Sequence, residues 1–399
     1  MLRRGSARWV HQHDPVAIRA RVGAARCDRL LGVGQQFDEI RDAGTVDAAW
    51  LTDVLHAAGV GLGHRIGSFD ARSIGTGQVG ENVRYTLEWD GDPAGLPASL
   101  VAKFPSASEV SRATATQVDT YRREVGFYRD IQHHVAIRTP GVHHIGWDPR
   151  THDFVLVMED ICGAEQGDQL EGCDVERAAA VIDQAVGLHA PTWDRVDELG
   201  DLDWLAAPSP ERTAQMQMLF GFTLPGFLDR YGARLSADER DVGRAVVDRY
   251  PALAARVTEW AHDHRAWCVT HADYRLDNIL FGAGDGAPSV TVVDWQTTTI
   301  GIGPADVAYF VGAGLVTEQR RRHERSLVER YAVGMRTAGV DVSDDAIWSG
   351  YVLGTAGGYL MSIIASQIVE QTVRGDDMFV AMAIRHASQI TECGLLDQL

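Results

Sequence analysis

Cysteine and positive charge are both scarce in this chain. The 399 residues include five cysteines, and no two of them form a C-x-x-C pair. That scarcity excludes a disulfide-stapled miniprotein and favours a reduced, cytoplasmic protein. Lys and Arg number 37 against 55 Asp and Glu, which gives a formal net charge of −18. Because nucleic-acid binding requires clustered basic residues, no nucleic-acid partner is expected.

Long apolar runs are also few. No apolar segment follows the basic residues at the N-terminus, so no signal peptide is predicted. One stretch, residues 346–369, has no charged side chain and is long enough to span a bilayer. It contains Gly350, Gly354 and Gly358, a spacing that allows close helix contact. Polar residues dilute the stretch and no basic flank marks a cytoplasmic side, so we predict a buried core helix and no membrane span.

The rest of the composition is typical of a globular protein, and the pattern along the chain predicts an α+β fold in two lobes. Residues 1–44 have weak periodicity and predict a poorly ordered extension. Residues 45–160 are β-rich, and residues 161–399 are mainly helical. The lobes are expected to meet near residues 159–167.

Hydrophobic periodicity places the main elements of the first lobe. It predicts, in order, a helix from Thr45 to Ala58, strands over 83–89 and 100–104, a helix over 117–134, and a strand over 154–158. Thr45 is the expected N-cap of the first helix, and Gly59 is its expected stop.

A glycine motif, G-x-G-x-x-G, begins at Gly75 and continues through Gly77 to Gly80. A dinucleotide-binding site would require a helix after these glycines, whereas a period-2 strand follows here. Two interpretations remain, a flap whose backbone N–H groups close over phosphates and a plain glycine-rich hairpin.

Lys103 lies within an otherwise apolar strand and needs a partner if it is buried. Glu124, between Tyr121 and Tyr128 on one face of the next helix, is a candidate. A lysine held in this way could contact the α- and β-phosphates of a nucleotide. Taken singly, the two residues are better explained as a solvated edge lysine and an ordinary surface glutamate.

The most specific pattern is the segment His271–Asn278, followed by two short apolar runs and Asp294. The runs predict a hairpin that brings Asn278 and Asp294 to the same end. An amide and a carboxylate oxygen are hard ligands suited to Mg²⁺ with bound phosphates. Asp273 precedes them and could accept a proton from an attacking hydroxyl.

These motifs together resemble the aminoglycoside phosphotransferase and choline kinase superfamily, which is itself similar to protein kinases. The resemblance extends from about Trp50 to the C-terminus, and includes the segment 303–310. Asp294-Trp295-Gln296 with the segment 306–310 is most similar to bacterial members of the ecdysteroid kinase-like branch. The segment 274–278 also resembles kinase domains fused to acyl-CoA dehydrogenases.

The resemblance implies a two-lobed protein-kinase-like fold and a role for each matching residue. The implied roles are Asp273 as base, Asn278 and Asp294 as Mg²⁺ ligands, Lys103 fixed by Glu124 on the ATP phosphates, Gly75, Gly77 and Gly80 as the flap, backbone groups of Glu159 and Ile161 on adenine, and His271 and Asp306 bracing the catalytic loop. Ala272 departs from the family pattern, in which many members have glycine, but this change is not expected to remove activity.

The expected activity is therefore transfer of the ATP γ-phosphoryl group to a hydroxyl of a small, apolar molecule. A Met- and Phe-rich stretch over 216–227 favours an apolar acceptor if it lines the cleft. Kinases of aminoglycoside or macrolide antibiotics are the alternative within this class. A metal hydrolase using His262, His264 and His271 competes less well, because zinc sites need clustered ligands. A catalytically silent nucleotide-binding module would have lost Asp273 or a metal ligand, and this chain has both.

Overall fold

The computed structural model describes residues 39–75, 79–282 and 290–399. The predicted extension over residues 1–44 lies outside the described residues apart from 39–44, and Gly77 and most of the turn after Phe281 also lie outside them. Every structural statement below concerns the described part of the chain.

The first lobe is a five-stranded antiparallel sheet with the strand order β1-β2-β3-β5-β4. Its strands are β1 (Ile66–Ile74), β2 (Gly80–Trp89), β3 (Ser99–Pro105), β4 (Val142–Trp147) and β5 (Phe154–Glu159). The alternation predicted for the second strand is present, because Val83, Tyr85 and Leu87 are buried and the residues between them are not. One face of the sheet therefore packs on a core, and the other is available to the cleft.

The first helix is shorter than predicted. Helix α1 (Ala48–Ala57) begins after Asp47, whose carboxylate accepts the backbone N–H of Trp50 at 2.8 Å. Thr45 as N-cap was wrong, since its hydroxyl bonds within the preceding 3₁₀ turn instead. An aspartate is at least as good a cap as a threonine, and the nearer one begins the helix here.

The helix predicted over 117–134 is also wrong in its extent. The chain forms α2 (Glu109–Gln117) and α3 (Thr120–Gly126), then a π-helical turn over Phe127–Ile131. Asp119 interrupts the helices because it has a left-handed backbone, with φ of 60°. Ser108, eleven residues before Asp119, caps α2. The side-chain periodicity does not reveal this cap.

The second lobe is predominantly helical, as predicted. Its helices are α4 (Val175–His189), α5 (Pro210–Tyr231), α6 (Ala237–Asp248), α7 (Tyr250–Asp263), α8 (Gly303–Gly314), α9 (Thr317–Thr337), α10 (Asp344–Gly354), α11 (Gly357–Ile368) and α12 (Val373–Glu392). Two small sheets hold the loops between them, β7 (Trp267–Thr270) with β10 (Thr299–Ile302), and β6 (Glu165–Gln166) with β8 (Ile279–Phe281) and β9 (Val290–Val292). The predicted α+β architecture, β-rich and then helical, is confirmed.

The uncharged stretch 346–369 forms two helices, α10 and α11. By length and composition alone, Asp344–Ile368 could cross a membrane, yet 72% of its apolar window is buried inside the protein. The glycines explain how the helices pack. A Cβ on Gly354 would lie 2.5 Å from Cα of Ala305, so α10 approaches α8 at van der Waals distance. The prediction of buried helical structure is confirmed, but as two helices instead of one.

Candidate active site

A buried ion cluster joins the two lobes. Lys103 on β3 is 7% exposed, and its Nζ lies 2.7 Å from Oε1 and 2.6 Å from Oε2 of Glu124 on α3. The same ammonium lies 3.1 Å from Oδ1 of Asp294, which follows β9. The pairing of Lys103 with Glu124 predicted from the sequence is therefore present, and Asp294 is a third member.

The charges in this cluster do not balance, because one ammonium faces two carboxylates. Burial disfavours the charged form of Lys103, but the charges of Asp294 and Glu124 outweigh it and raise the lysine pKa. Burial raises the pKa of Glu124, with Lys103 opposing the shift. For Asp294, burial acts upward, yet the Lys103 ammonium prevails and lowers the pKa. The excess negative charge favours a further cation at Asp294, whose side chain is 26% exposed.

Hydrogen bonds from α8 fix the segment His271–Asn278. The carboxylate of Asp306, in the first turn of α8, accepts the backbone N–H groups of His271 at 2.7 Å and Ala272 at 2.9 Å. Nε2 of His271 is 3.1 Å from the carbonyl oxygen of Val293, next to Asp294. Both residues expected to brace the loop thus contact it directly. Ala272 has a left-handed φ of 62°, a conformation that glycine adopts more readily than alanine.

Asp273 is 8% exposed, and both of its carboxylate oxygens accept hydrogen bonds. Oδ1 accepts the hydroxyl of Tyr309 at 2.8 Å, and Oδ2 accepts Nδ2 of Asn278 at 3.1 Å. Nε of Arg275 lies 3.1 Å from each oxygen. Three side chains therefore hold the carboxylate in one orientation, as a general base requires.

Arg275 belongs to a second network of charged side chains, beside Asp273. Its Nη1 lies 2.8 Å from Oδ2 of Asp277, and Asp277 also pairs with Arg374 at the start of α12 at 2.9 Å. The sulfur of Met378 lies 3.0 Å from the same guanidinium. The N-terminal turn of α12 is therefore adjacent to the catalytic loop.

Asn278 and Asp294 have a donor set that fits Mg²⁺. Nδ2 of Asn278 donates to the carbonyl oxygen and to Oδ2 of Asp273, so the amide oxygen is the side-chain atom that can bind a cation. The backbone N–H of Val293 donates to the carbonyl of Asn278 at 3.0 Å, which brings the two residues to one end of the β8–β9 pair. Within the described ranges no three His, Cys, Asp or Glu side chains form a metal cage. Mg²⁺ does not need one, because it commonly takes one or two protein ligands with phosphates and water.

Gly80, the last glycine of the motif, lies beside Lys103. A Cβ on Gly80 would lie 3.1 Å from Cε of Lys103 and from the carbonyl oxygen of Phe104, so this position admits only glycine without a shift. Gly75 has a φ of 76° and lines, with Gly80, a cavity of about 250 Å³ between the β1–β2 turn and Ser106. The glycines thus keep backbone exposed where a phosphate could approach.

Glu159 ends β5, the strand that leads into the second lobe, and Ile161 follows two residues later. The Glu159 side chain turns away to Arg138 at 2.6 Å, and its backbone N–H donates to the carbonyl of Gly141 at 2.7 Å. The carbonyl of Ile161 accepts the N–H of Ala164 at 3.2 Å. A nucleobase could therefore form hydrogen bonds with the carbonyl oxygen of Glu159 and the backbone N–H of Ile161.

Two side chains that contact Asp273 were not identified from the sequence. Tyr309 lies three residues after Asp306, on the same face of α8, and Arg275 lies two residues after Asp273. Helical spacing from Asp306 could have suggested the tyrosine. The composition carries a further signal, since Lys103 is the only lysine among the 37 Lys and Arg residues of the chain. A lone lysine in a chain that otherwise uses arginine indicates a position that requires a compact ammonium.

Comparison with known proteins agrees with this geometry. The model of the ecdysteroid kinase-like family matches residues 81–339. The chain belongs to the ecdysteroid kinase-like family. That range contains Lys103, Glu124, the catalytic loop and Asp294, so this family member is a kinase that phosphorylates a hydroxyl of a small molecule. None of the curated proteins compared with it matches significantly.

Solved structures with similar folds are distant in sequence. Choline kinase from Cryptosporidium parvum Iowa II is 12% identical, with a TM-score of 0.51, over 83% of this chain and 90% of that one. Plasmodium vivax ethanolamine kinase is 10% identical, with a TM-score of 0.45, over 79% and 81% of the two chains. The GDP complex of aminoglycoside 2'-phosphotransferase-IIIa is 11% identical, with a TM-score of 0.46, over 86% and 100%. The match to choline kinase confirms the two-lobed kinase-like fold of this family member.

Proposed function

We propose that this kinase transfers the γ-phosphoryl group of ATP to a hydroxyl of a small, apolar molecule, with Asp273 as base. The observation that carries the proposal is the convergence of Lys103, Glu124 and Asp294 in one buried cluster. These three residues come from a strand, a helix and a loop in two lobes. A structural ion pair needs only two of them, whereas a nucleotide with its metal uses all three.

Mg²⁺ would be held by the amide oxygen of Asn278 and the carboxylate of Asp294. When bound, it neutralises charge on the nucleotide phosphates. Lys103 is placed to contact the phosphates from the sheet, and Glu124 keeps its ammonium oriented. Gly80, beside Lys103 in the same sheet, and Gly75 would offer backbone N–H groups to the phosphates. The cluster carries excess negative charge without these ligands, which supports the binding of a divalent cation.

The nucleobase that fits the segment between the lobes, at Glu159 and Ile161, is adenine. Adenine presents a donor at N6 and an acceptor at N1. The backbone carbonyl of Glu159 and the N–H of Ile161 supply the complementary acceptor and donor, given the bonds that these residues already make. Guanine presents an acceptor and a donor in the reverse order, so ATP is preferred to GTP. Replacing ATP by GTP is expected to raise KM without a comparable change in kcat.

The chemical step requires one proton acceptor. The acceptor oxygen forms a bond to the γ-phosphorus while the bond from that phosphorus to the β–γ bridging oxygen breaks, and ADP departs with that electron pair. Asp273 accepts the proton of the attacking hydroxyl. Catalysis then rests on positioning and on neutralising charge.

Exposed apolar side chains support an apolar acceptor. On α5, Met218 is 68% and Phe222 is 84% exposed, and Val373 at the start of α12 is 83% exposed. A Cβ on Gly226, one turn after Phe222, would lie 2.4 Å from Oε1 of Gln367, so α5 meets the end of α11 there. Helix α11 leads to the start of α12, where Arg374 pairs with Asp277, and exposed apolar surface of this kind indicates binding.

The acceptor surface predicts an effect on KM alone. In Phe222→Ser, KM for an apolar alcohol should rise about tenfold, because about 1–3 kcal/mol of apolar contact is lost, while KM for ATP stays constant. Val110→Ser is the matched control, since Val110 is 77% exposed on α2 of the other lobe. An equal response of the two variants would remove Phe222 from the acceptor site.

The proposed function is tested by ADP release from Mg²⁺·ATP against a panel of steroids, hydroxyacyl-CoAs, macrolides, aminoglycosides and choline. We expect the highest rate with an apolar alcohol, and a fall of about 10²–10⁴-fold in kcat for Asp273→Ala with ATP binding kept. A normal rate in that variant would exclude Asp273 as the base. A signal confined to aminoglycosides or macrolides would replace the proposed acceptor by an antibiotic.

A further inference from the structure

Helix α8 reaches the catalytic loop with two side chains, one turn apart. Asp306 accepts the backbone N–H groups of His271 and Ala272, and so fixes the main chain of the loop. Tyr309, three residues later, donates its hydroxyl to Oδ1 of Asp273 at 2.8 Å. One helix face thus contacts both the backbone before the base and the base itself.

Tyr309 is held more firmly than Arg275, the other side chain that donates to Oδ1 of Asp273. It is 3% exposed, lies in a helix whose residues are almost all buried, and its ring contacts His386 edge-on, with centroids 5.6 Å apart. Burial and the Asp273 charge raise the pKa of Tyr309, so its hydroxyl stays protonated and can only donate to the carboxylate. Arg275, by contrast, divides one N–H between two oxygens at 3.1 Å each.

We infer that Tyr309 is a positioning residue for phosphoryl transfer, which anchors Oδ1 of Asp273 so that Oδ2 faces the acceptor. The inference rests on the proposed function, because it requires Asp273 to be the base. The acceptor hydroxyl gives its proton to Oδ2 as its oxygen bonds to the γ-phosphorus and ADP leaves. Arg275 yields its place at Oδ2 to the hydroxyl, and Tyr309 prevents the carboxylate from rotating when it does so.

The test is the kcat of Tyr309→Phe, measured as ADP release from Mg²⁺·ATP with water as acceptor and with the most active alcohol of the panel. We expect kcat to fall about 10- to 100-fold, the loss typical of a hydrogen bond to a charged group. KM for ATP should not change, because Tyr309 has no role in the nucleotide site.

Tyr351→Phe is the matched control. Tyr351 is fully buried in the same lobe, and its hydroxyl also donates to a carboxylate, Oε1 of Glu324 at 2.7 Å. Both variants lose one buried hydroxyl and should lose similar thermal stability. Equal kcat losses in the two variants would overturn the inference, since the effect of Tyr309 would then be structural.

A double-mutant cycle separates this inference from the proposed function. If Tyr309 acts through Asp273, then Tyr309→Phe should have no further effect on kcat in the Asp273→Ala background. An unchanged, multiplicative loss in that background would overturn the inference. A normal rate in Asp273→Ala alone would instead overturn the proposed function, while a slow Asp273→Ala beside a normal Tyr309→Phe would overturn only the role of Tyr309.

Discussion

Two buried clusters in this kinase share one charge pattern, a cation between two carboxylates. In the cleft, Lys103 lies between Glu124 and Asp294. In the helical lobe, Arg320 on α9 is fully buried, 2.9 Å from Glu324 and 2.6 Å from Glu392. The clusters differ in what happens to the remaining oxygens.

The Arg320 cluster is closed. Glu324 also accepts the hydroxyl of Tyr351 at 2.7 Å, and Glu392 also accepts Arg321 at 2.8 Å and Ser388 at 2.7 Å. Every carboxylate oxygen there has a protein donor. In the cleft cluster, by contrast, the second carboxylate oxygen of Asp294 has only a 3.3 Å contact with Gln296. A charge pattern of this kind is structural when its oxygens are satisfied, and available for a ligand when they are not.

The backbones differ in the same sense. The Arg320 cluster is built on three regular helices, α9, α10 and α12. The cleft contains two non-glycine residues with a left-handed backbone, Ala272 and Asp294, with φ of 62° and 67°. Such conformations cost free energy and occur preferentially at active sites. Backbone strain and a weakly bonded carboxylate oxygen thus coincide in the cleft. In the helical cluster the backbones are regular, and the buried atom without a partner is Nε of Arg320, a donor and not a carboxylate oxygen.

Removing the cation from the cleft should lower activity far more than any loss of folded protein can explain. For Lys103→Met we expect kcat/KM to fall about 10²–10³-fold, the usual effect of losing a preorganised charge at a developing anion. Lys103→Arg should lose nearly as much, because a planar guanidinium does not fit where a compact ammonium contacts two carboxylates. Circular dichroism and Tm check the fold. Retained activity in both variants would contradict the role of Lys103.

Removing the cation from the closed cluster should have the opposite effect. Arg320→Met leaves two carboxylates without their shared partner and should cost about 3 kcal/mol of stability, since breaking a buried pair exposes the remaining charge to a low dielectric. The kcat of the folded fraction should be unchanged. Urea unfolding with a parallel activity assay measures both quantities, and a loss of kcat larger than the loss of folded protein would refute the comparison.

Low pH should destabilise the helical lobe through protonation of His386. Its imidazole is fully buried beside Tyr309 and Gln389, with Arg320 and Arg385 nearby, and burial is the main reason that its pKa is lowered to about 4 from an ordinary 6.5. A depressed pKa contributes stability that is complete above pH 6.5 and is lost as the pH falls towards 4. We expect about 3 kcal/mol to be lost over this window, in addition to what other groups contribute.

The measurement is the free energy of unfolding at pH 7 and at pH 4. His386→Gln should show a smaller difference between the two than the wild type, whereas exposed His133→Gln should not. An identical pH dependence in His386→Gln and wild type would show that the imidazole is not kept neutral by the fold.

The smallest expected effect concerns strain in the catalytic loop. Ala272→Gly should raise stability by about 0.5–1 kcal/mol, because glycine adopts φ near +60° without the steric cost that alanine bears. The N–H that donates to Asp306 is retained, so kcat should not change. A fall in Tm, measured by thermal unfolding, would mean that the left-handed backbone at Ala272 is not strained.

Much of the architecture could be predicted from the sequence because its signals are local. Period-2 alternation located the strand that contains Tyr85, and the spacing from His271 to Asp294 predicted that Asn278 and Asp294, the proposed metal ligands, lie at one end of the β8–β9 pair. The uncharged run after Ala346 correctly indicated buried helices, since composition alone reports burial on all sides.

What could not be predicted depends on contacts distant in the chain. Asp119 breaks a helix whose apolar periodicity continues past it, and periodicity carries no information on backbone angles. Tyr309 is a neighbour of Asp273 only after α8 has packed on the loop, 36 residues away. The closed cluster around Arg320 joins α9 to the far end of α12, and no spacing rule connects these segments.

The central claim, that the Lys103 cluster is a Mg²⁺·ATP site, has a direct test because Lys103 is the only lysine. An acyl phosphate of ATP transfers its acyl group to a lysine beside the phosphates, and mass spectrometry of the digested protein identifies the labelled residue. We predict labelling of Lys103, its suppression by excess Mg²⁺·ATP, weaker suppression when EDTA removes the metal, and no lysine label in Lys103→Arg. Failure of excess Mg²⁺·ATP to protect Lys103 would contradict the claim.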